Sequence, residues 1–194
     1  KYNITEINVI KMLLIDEYKK LLGKYNKNIM DILHSQGKTA IVKQINENKL
    51  LMETYIISDN FYITNFDILI LANKFDIPLV MYSSTKLKEN DKKFLTLQKY
   101  TAETIPTELY FIKTPVIKPN VMSKYRLLKD KKHFYVKQQD IKPDMLSIIT
   151  ESYMDFETYI EAFVKPKRVR KKIIVVNEGT AIKPPPKKIK GSKG

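Results

Sequence analysis

Apolar residues recur every three to four positions through the first third of the chain, which is the spacing of helices with one buried face. The segment TEINVIKMLLIDEYKKLLG predicts a first helix, with Thr5 as its N-cap and Gly23 as its C-terminal stop. Two more helical segments follow: NKNIMDILH, which ends before Gly37, and KTAIVKQINENKLLMETYI, which runs toward Tyr55. The first part of the chain is therefore expected to be helical.

The most regular pattern lies in YITNFDILILANKFDIPLVMYSS, which predicts a helix followed by a strand. Thr64 and Asp67 form a capping-box pattern in its acidic variant at the start of this helix, and Pro78 prevents the helix from continuing. The apolar run PLVMYSS then predicts a buried strand. A helix that leads into a strand in this way packs on one face of an α/β sheet.

Four more short segments have strand character, namely FLTLQKY, ELYFIKTPVI, KYRLL and HFYVK. The residues KDKK between the last two predict a hairpin connection. DIKPDMLSIITESYMDFETYIEAFV then predicts a helix in two parts, with Pro143 in its first turn and a break near Met154 and Asp155. The predicted fold class is α/β or α+β, with a mixed sheet of about four to five strands flanked by helices.

Positive charge is concentrated in one part of the sequence. The net charge is +14, from 35 Lys and Arg and 21 Asp and Glu. Residues 165–194 hold eleven of these cations and one acid, Glu178, so they carry +10, which leaves only +4 for residues 1–164. We therefore divide the chain into a globular domain, residues 1–164, and a basic tail or linker rich in Pro and Lys, residues 165–194.

This basic tail predicts a contact with nucleic acid or with an acidic protein surface. A nuclear-targeting signal or a solvated linker would use the same residues. The abundance of Lys, Ile, Asn and Tyr is also typical of an AT-rich coding sequence, which raises the lysine content without any functional reason. The candidate contacts in the tail are Lys165, Lys167, Arg168, Arg170, Lys171 and Lys172.

A second basic surface is predicted around KYRLLKDKKHFYVK, where cations alternate with aromatic residues. Such a surface can follow a phosphate backbone and stack on bases. A solvated hairpin is the alternative interpretation. The aromatic members are Tyr125, Phe134 and Tyr135, and the basic members are Arg126, Lys129, Lys131, Lys132 and Lys137, of which Arg126, Lys131 and Lys132 are the candidate contacts.

Several classes of chemistry are excluded or disfavoured by composition. The chain has no cysteine, so it can form no disulfide, thiolate zinc site or cysteine nucleophile. No glycine lies between Gly37 and Gly179, which rules out a P-loop or a dinucleotide fingerprint there. His34 has no ligand at a metal-binding spacing, so we predict neither a metal nor a cofactor.

Hydroxyl and carboxyl groups give no stronger signal for catalysis. Ser83, Ser84 and Thr85 follow the PLVMY strand, but they lie in no nucleophile-elbow motif and are interpreted as a turn. The acids at helix ends and in loops are interpreted as solvated. They are Asp67, Asp76, Glu89 and Asp91.

Localisation and context are weakly indicated. No apolar run approaches the ~18 residues of a membrane span, and no signal-peptide pattern is present, so we expect a soluble, intracellular protein that contacts no membrane. The first residue is Lys1 rather than Met, which suggests a segment of a larger chain.

His133 opens the predicted strand HFYVK, and three roles are open for it: a catalytic residue, a contact in the basic surface, or an ordinary strand residue. The order of a helix-rich first part, FYITNFDILILANKFDIPLVMYSS, and then KKHFYVKQ resembles the second half of ovarian-tumour-type (OTU) cysteine proteases, over roughly residues 28–138. In that family a helix leads into an I-P-L-V-like strand, and the catalytic histidine opens a late strand beside an aromatic residue, as His133 and Phe134 do. Such domains also occur in proteins of large DNA viruses, which would place this chain in the host cytoplasm, the nucleus or the virion.

The chain departs from the family at two positions that matter for catalysis. OTU enzymes carry an Asp-Gly-x-Cys element whose thiolate attacks the isopeptide carbonyl, and this sequence has no cysteine. The place of the residue that orients the histidine is held by Tyr135. The resemblance therefore implies that His133 is a remnant or one part of a catalytic site.

The expected function is that of a non-catalytic OTU-like interaction domain of a larger, viral protein, whose basic extension contacts nucleic acid or an acidic partner. A ubiquitin-like protein is a further partner that the resemblance implies. One alternative is an active OTU-like deubiquitinating protease whose nucleophile lies outside this segment. Another is a nucleic-acid-binding protein unrelated to proteases.

Overall fold

A mixed sheet with helices on both faces forms the fold, as seen in a computed structural model that describes residues 6–87, 90–101, 103–128 and 133–163. Its α-helices are α1 (Ile7–Ser35), α2 (Thr39–Asn46), α3 (Met52–Ile57), α4 (Asn65–Lys74), α5 (Pro143–Glu151) and α6 (Phe156–Ala162). Its strands are β1 (Leu79–Tyr82), β2 (Phe94–Thr96), β3 (Glu108–Lys113), β4 (Arg126–Leu127) and β5 (Val136–Lys137), and a 3-10 turn follows at Gln138–Asp140. The predicted mixed sheet flanked by helices is confirmed.

Helix α1 is longer than the sequence indicated. Gly23 does not end the helix, because the chain continues to Ser35 through a kink at Tyr25, whose φ and ψ are −128° and 29°. A helical glycine costs only ~1 kcal/mol, which packing along the rest of α1 easily offsets. The first two predicted helices are thus one bent helix.

The third predicted helix is divided into α2 and α3. Asn48, in the turn between them, has a φ of 55°, in the left-handed region that asparagine tolerates better than most residues. Apolar residues continue across this turn, so the hydrophobic pattern alone does not show the break.

The capping box predicted for α4 is confirmed. The Thr64 backbone N–H donates to Asp67 Oδ2 at 2.7 Å, and Thr64 is the N-cap. The α4 helix ends at Lys74, before Pro78, and the chain enters β1 directly afterwards. The two-part helix near the end of the domain is confirmed as well, with Pro143 in the first turn of α5 and Asp155 capping α6.

The strand order is β2-β1-β3-β4, with β1 and β3 parallel and the other pairs antiparallel. One face of the sheet packs against α1, α3, α4 and α6 and holds the larger core, which includes Leu14, Phe66, Met81 and Ile112. The opposite face is covered by α5, whose Ile149 packs with Val80, Leu109 and Phe111.

The connection KDKK predicted between KYRLL and HFYVK, residues 129–132, lies outside the described residues. Both β4 and β5 pair with the same edge of β3, with Ile112 opposite Leu127 and Leu109 opposite Val136. If the β4 register continued, residue 130 would lie opposite Leu109, whereas Val136 lies there, so the sequence between the two strands is six residues longer than one continuous register requires. We call this insertion, between Leu128 and Tyr135, the β3-edge excursion.

Candidate functional site

Two of the candidate residues, Arg126 and His133, lie in or near the short strands β4 and β5, which both pair with β3. Arg126 lies in β4 opposite Lys113 of β3, and both side chains are exposed. Directly opposed residues on antiparallel strands point to the same face, so this pair presents two cations together. His133 lies at the end of the β3-edge excursion, before β5.

The remaining candidate contacts lie outside the described residues, so no geometry is assigned to them. They are Lys131, Lys132, Lys165, Lys167, Arg168, Arg170, Lys171 and Lys172.

His133 has an exposed side chain whose imidazole stacks on the ring of Tyr135, with centroids 4.9 Å apart and planes inclined by 22°. Tyr135 in turn contacts Tyr110 of β3 edge to face, at 6.1 Å. The imidazole therefore ends a row of aromatic rings at the sheet edge. The regular strand begins only at Val136, and Phe134, which precedes it, is 56 % exposed.

Tyr135 lies two positions after His133, where the resemblance to OTU enzymes would place the residue that orients the histidine. Desolvation, and then the neighbouring carboxylate of Glu108, raise the pKa of Tyr135, so its hydroxyl stays protonated at neutral pH. A protonated phenol stacked on the imidazole holds the ring by contact and does not stabilise an imidazolium as a carboxylate does. The assignment of His133 as a catalytic remnant remains a prediction.

Tyr125 does not belong to the predicted base-stacking surface. Its hydroxyl donates to Asn65 Oδ1 at the start of α4, at 2.9 Å, and its ring packs against the larger core. Burial raises the pKa of Tyr125. Tyr125 precedes a strand on the edge of the sheet, and its side chain turns inward to hold this edge against α4.

The residues after β1 form the turn that the sequence indicated. The Thr85 backbone N–H donates to Ser83 Oγ at 3.3 Å, as in a serine turn.

Asp67 is not a solvated acid, and the interpretation of this residue was wrong. Its side chain is 0 % exposed, and its carboxylate accepts hydrogen bonds from Tyr18 Oη at 2.7 Å, from Thr64 and from Lys38 Nζ at 3.0 Å. A buried carboxylate is tolerated only when it is paired and hydrogen-bonded in this way. Asp76 and Asp91, by contrast, are exposed as expected.

Lys38, the partner of Asp67, is 1 % exposed, and its ammonium lies over three aromatic rings. Its Nζ is 4.7 Å from the ring centroid of Phe61, 5.2 Å from that of Tyr55 and 5.4 Å from that of Tyr62. Burial lowers the pKa of Lys38, although Asp67 opposes this effect. Because water has almost no access to the pair, its role is to join α1, α2 and α4.

Sequence reasoning missed this ion pair because its members lie 29 residues apart and each has an ordinary local explanation. Asp67 belongs to a capping box, and Lys38 follows Gly37 at a helix start. The available signal was weak: Lys38 is the one cation in the stretch SQGKTAIV, between two apolar segments.

A cleft of about 400 Å³ lies between α1, the α2–α3 turn and α3, and we call it the α1–α3 cleft. Ile15, Met30, Met52 and Ile56 are buried at its floor. The exposed ion pair of Lys19 and Glu53, 3.2 Å apart, lies beside it. The remaining lining residues are Tyr18, Leu22, Asn26, Ile45, Asn46, Asn48, Leu50 and Leu51.

In the part of the chain that the structure describes, no group of three or more His, Asp and Glu side chains could hold a metal ion. No helix within the same residues has the length and apolar character needed to cross a membrane. No family model matches the sequence, and comparisons with curated proteins and with solved structures found no match.

Proposed function

We propose that this chain is a non-catalytic interaction domain of OTU-like ancestry whose basic tail, residues 165–194, binds nucleic acid. The observation that carries the proposal is the division of charge, with +10 in 30 tail residues and +4 in residues 1–164. Six cations within residues 165–172 are enough to neutralise several phosphates and to release their counterions.

The folded part supports a binding role over a catalytic one. A thiolate is absent from the whole sequence, and the buried Lys38 and Asp67 are used by each other. His133 is exposed and stacks on a tyrosine. The opposed cations Lys113 and Arg126 on the sheet edge add a second place where a phosphate backbone can be contacted.

The proposal predicts binding that depends steeply on salt. With about six phosphates neutralised, the association constant for duplex DNA should fall by ~10³ between 50 and 200 mM NaCl. Fluorescence anisotropy with labelled single-stranded and double-stranded oligonucleotides measures this slope. Replacing the six cations of residues 165–172 by Gln should abolish the binding at 200 mM salt and flatten the slope.

The matched control replaces the five lysines of the second cluster, Lys183, Lys187, Lys188, Lys190 and Lys193, by Gln. This variant should retain more of the binding, because the five lysines that it loses are spread over a longer stretch than the six cations of residues 165–172. Binding that survives the first set of substitutions, or that is absent at 50 mM salt, would contradict the proposal. Displacement of DNA by polyglutamate at equal charge concentration would instead indicate an acidic protein surface as the partner.

A protease function is the second candidate, and the position of His133 favours it. This exposed imidazole lies three residues before the late strand β5, and in the OTU family the catalytic histidine opens a late strand. This candidate requires an Asp-Gly-x-Cys element elsewhere in a longer polypeptide, because the mechanism needs a thiolate. The remaining alternative is a nucleic-acid-binding protein unrelated to proteases. It predicts the same dependence of nucleic-acid binding on salt as the first candidate.

A further inference from the structure

We infer that the α1–α3 cleft binds the apolar segment Ile173–Val176 of the same chain. The cleft is apolar at its floor, where Ile15 is 3 %, Met30 6 % and Ile56 0 % exposed. At its mouth, Leu51 is 70 % exposed, although a leucine side chain gains free energy when it is covered. An aliphatic occupant suits this lining better than an ion or a polar ligand.

The charged groups at the cleft leave little to attract a charged ligand. Lys19 and Glu53 neutralise each other across the gap between α1 and α3. The volume of about 400 Å³ lies in the range of ~300–1,000 Å³ found for ligand sites. The floor of the cleft therefore suits apolar side chains.

The rim of the cleft offers hydrogen bonds to an extended backbone. Asn26 of α1 and Asn46 and Asn48 at the end of α2 line it with exposed side-chain amides. Each amide has two N–H donors and a carbonyl acceptor. A short β-branched segment adopts an extended conformation, and its backbone N–H and C=O groups need such partners when no neighbouring strand is present.

The tail contains one segment of this kind. Ile173, Ile174, Val175 and Val176 form the only run of four aliphatic residues in residues 164–194, and the rest of that region is dominated by Lys, Arg and Pro. Burying each such side chain is worth ~1.5–3 kcal/mol relative to leaving it in water. The tail has no other apolar segment against which this run could be buried.

The chain is long enough to reach the cleft. The α6 helix lies along α1, where Glu157 is 3.0 Å from Lys24 Nζ and Asn28 Nδ2 donates to the Ile160 carbonyl at 3.1 Å. The cleft lies on another side of α1 at the same height, beside Leu22, Asn26 and Met30. Ten residues from Phe163 to Ile173 span up to ~33–36 Å, whereas half the circumference of a helix ~10–12 Å wide is ~16–19 Å.

Covalent connection also favours this occupant over a separate molecule. A tethered segment is present at an effective concentration of ~1 mM or more, so even weak binding keeps the cleft filled. Docking would hold the six cations of residues 165–172 along the surface of α1 rather than leaving them at the end of a free tail.

A nitroxide label tests this inference in the full chain. Because the chain has no cysteine, Lys49→Cys provides a unique thiol next to the cleft. We expect the amide signals of residues 173–176 to lose intensity selectively in ¹H–¹⁵N spectra, while those of residues 187–193 are retained. The paired substitutions Ile174→Asp and Val175→Asp should restore the lost intensity, because they would bury two carboxylates.

The matched control carries the label at Ser147→Cys on α5, which packs on the opposite face of the sheet, and should show no selective loss. Equal loss throughout residues 164–194, or no loss, would overturn the inference. Loss seen only between differently labelled molecules in a mixed sample would also overturn it and would indicate a second copy as the occupant. No nucleic acid is present in this experiment, so its outcome is independent of the proposed function.

Discussion

At the scale of single residues, Tyr100 links burial to alkaline stability. It lies after β2, is 3 % exposed, and donates from its hydroxyl to Gln98 Oε1 at 2.6 Å. Burial raises the pKa of Tyr100 to about 12. In the unfolded chain this pKa is ~10, so the folded state holds the proton more tightly and the resulting stability is complete only below pH ~10.

We predict that Tyr100→Phe has a lower free energy of unfolding than the parent at pH 7, and that this difference becomes smaller as the pH rises above ~10. The lost hydrogen bond costs ~1 kcal/mol at neutral pH. Between pH 10 and 12 the parent should lose roughly 1 kcal/mol per pH unit through this group, somewhat less than the ~1.4 kcal/mol of an unscreened group. Urea denaturation of both proteins at several pH values measures the difference, and a constant difference from pH 7 to 12 would contradict the assignment.

The sequence predicts single residues well where their partners are local and poorly where they are distant. Thr64 and Asp67 are three positions apart, and their capping box is confirmed. The burial of the same Asp67 depends on Lys38 and Tyr18, which the fold brings from other helices. Tyr125 faces Asn65 across 60 residues, which no periodicity of the strand KYRLL could indicate.

At the scale of elements, the two glycines of the helical layer have opposite roles. Gly37, between α1 and α2, has a φ of 93°, and a Cβ there would lie 2.6 Å from the Lys118 carbonyl oxygen. Asn120, from the same loop as Lys118, donates its N–H to the Gly37 carbonyl. Gly23 lies within α1, and a Cβ there would meet nothing within 4 Å.

We predict that Gly37→Ala destabilises the fold by about 2 kcal/mol or more, because it adds backbone strain and a steric clash. Gly23→Ala should stabilise it by ~0.5–1 kcal/mol, since alanine restricts the unfolded chain and favours the helix. Thermal or urea unfolding of the two variants provides the comparison. Equal effects of the two substitutions would show that the loop of Lys118 does not hold the α1–α2 corner closely.

Element type follows from the hydrophobic pattern, whereas element boundaries depend on backbone details and on pairing. The helices α4, α5 and α6 carry capping residues or Pro at their starts, and they begin where these indicate. The division of α2 from α3 depends on the left-handed Asn48. The pairing of both β4 and β5 with one longer strand, β3, is a choice that sequence alternation does not reveal.

At the scale of the whole molecule, the ion pair of Lys38 and Asp67 joins three helices, because Tyr18 of α1 shares the same carboxylate. We predict that Lys38→Met lowers the free energy of unfolding by about 3–5 kcal/mol, since it leaves a buried carboxylate without its counter-charge. Urea denaturation at pH 7 measures this loss.

Lys19→Met is the matched control, because Lys19 pairs with Glu53 but its side chain is 55 % exposed. Its loss should cost less than ~1 kcal/mol. If both substitutions had small effects, the prediction would be contradicted. Asp67 would then have to be reached by water or be protonated, and the ion pair would not determine how the helices pack.

The division into a globular domain and a basic tail was predicted from the distribution of charge rather than from the hydrophobic pattern. The basic tail stands out because its cations lack nearby acids, and this is visible without a structure. The α1–α3 cleft could not be predicted, because its lining comes from two separate stretches of the chain whose residues look like ordinary helix faces. A cleft is a property of how helices diverge, and sequence periodicity reports only which faces they bury.

The β3-edge excursion has a practical consequence. Strands β4 and β5 each pair with β3 in a register of their own. Neither pairing therefore fixes the number of residues between Leu128 and His133. The cost of closing a loop grows only slowly with its length. An epitope or a fluorescent reporter can therefore be spliced in at this point while the sheet on both sides keeps its alignment.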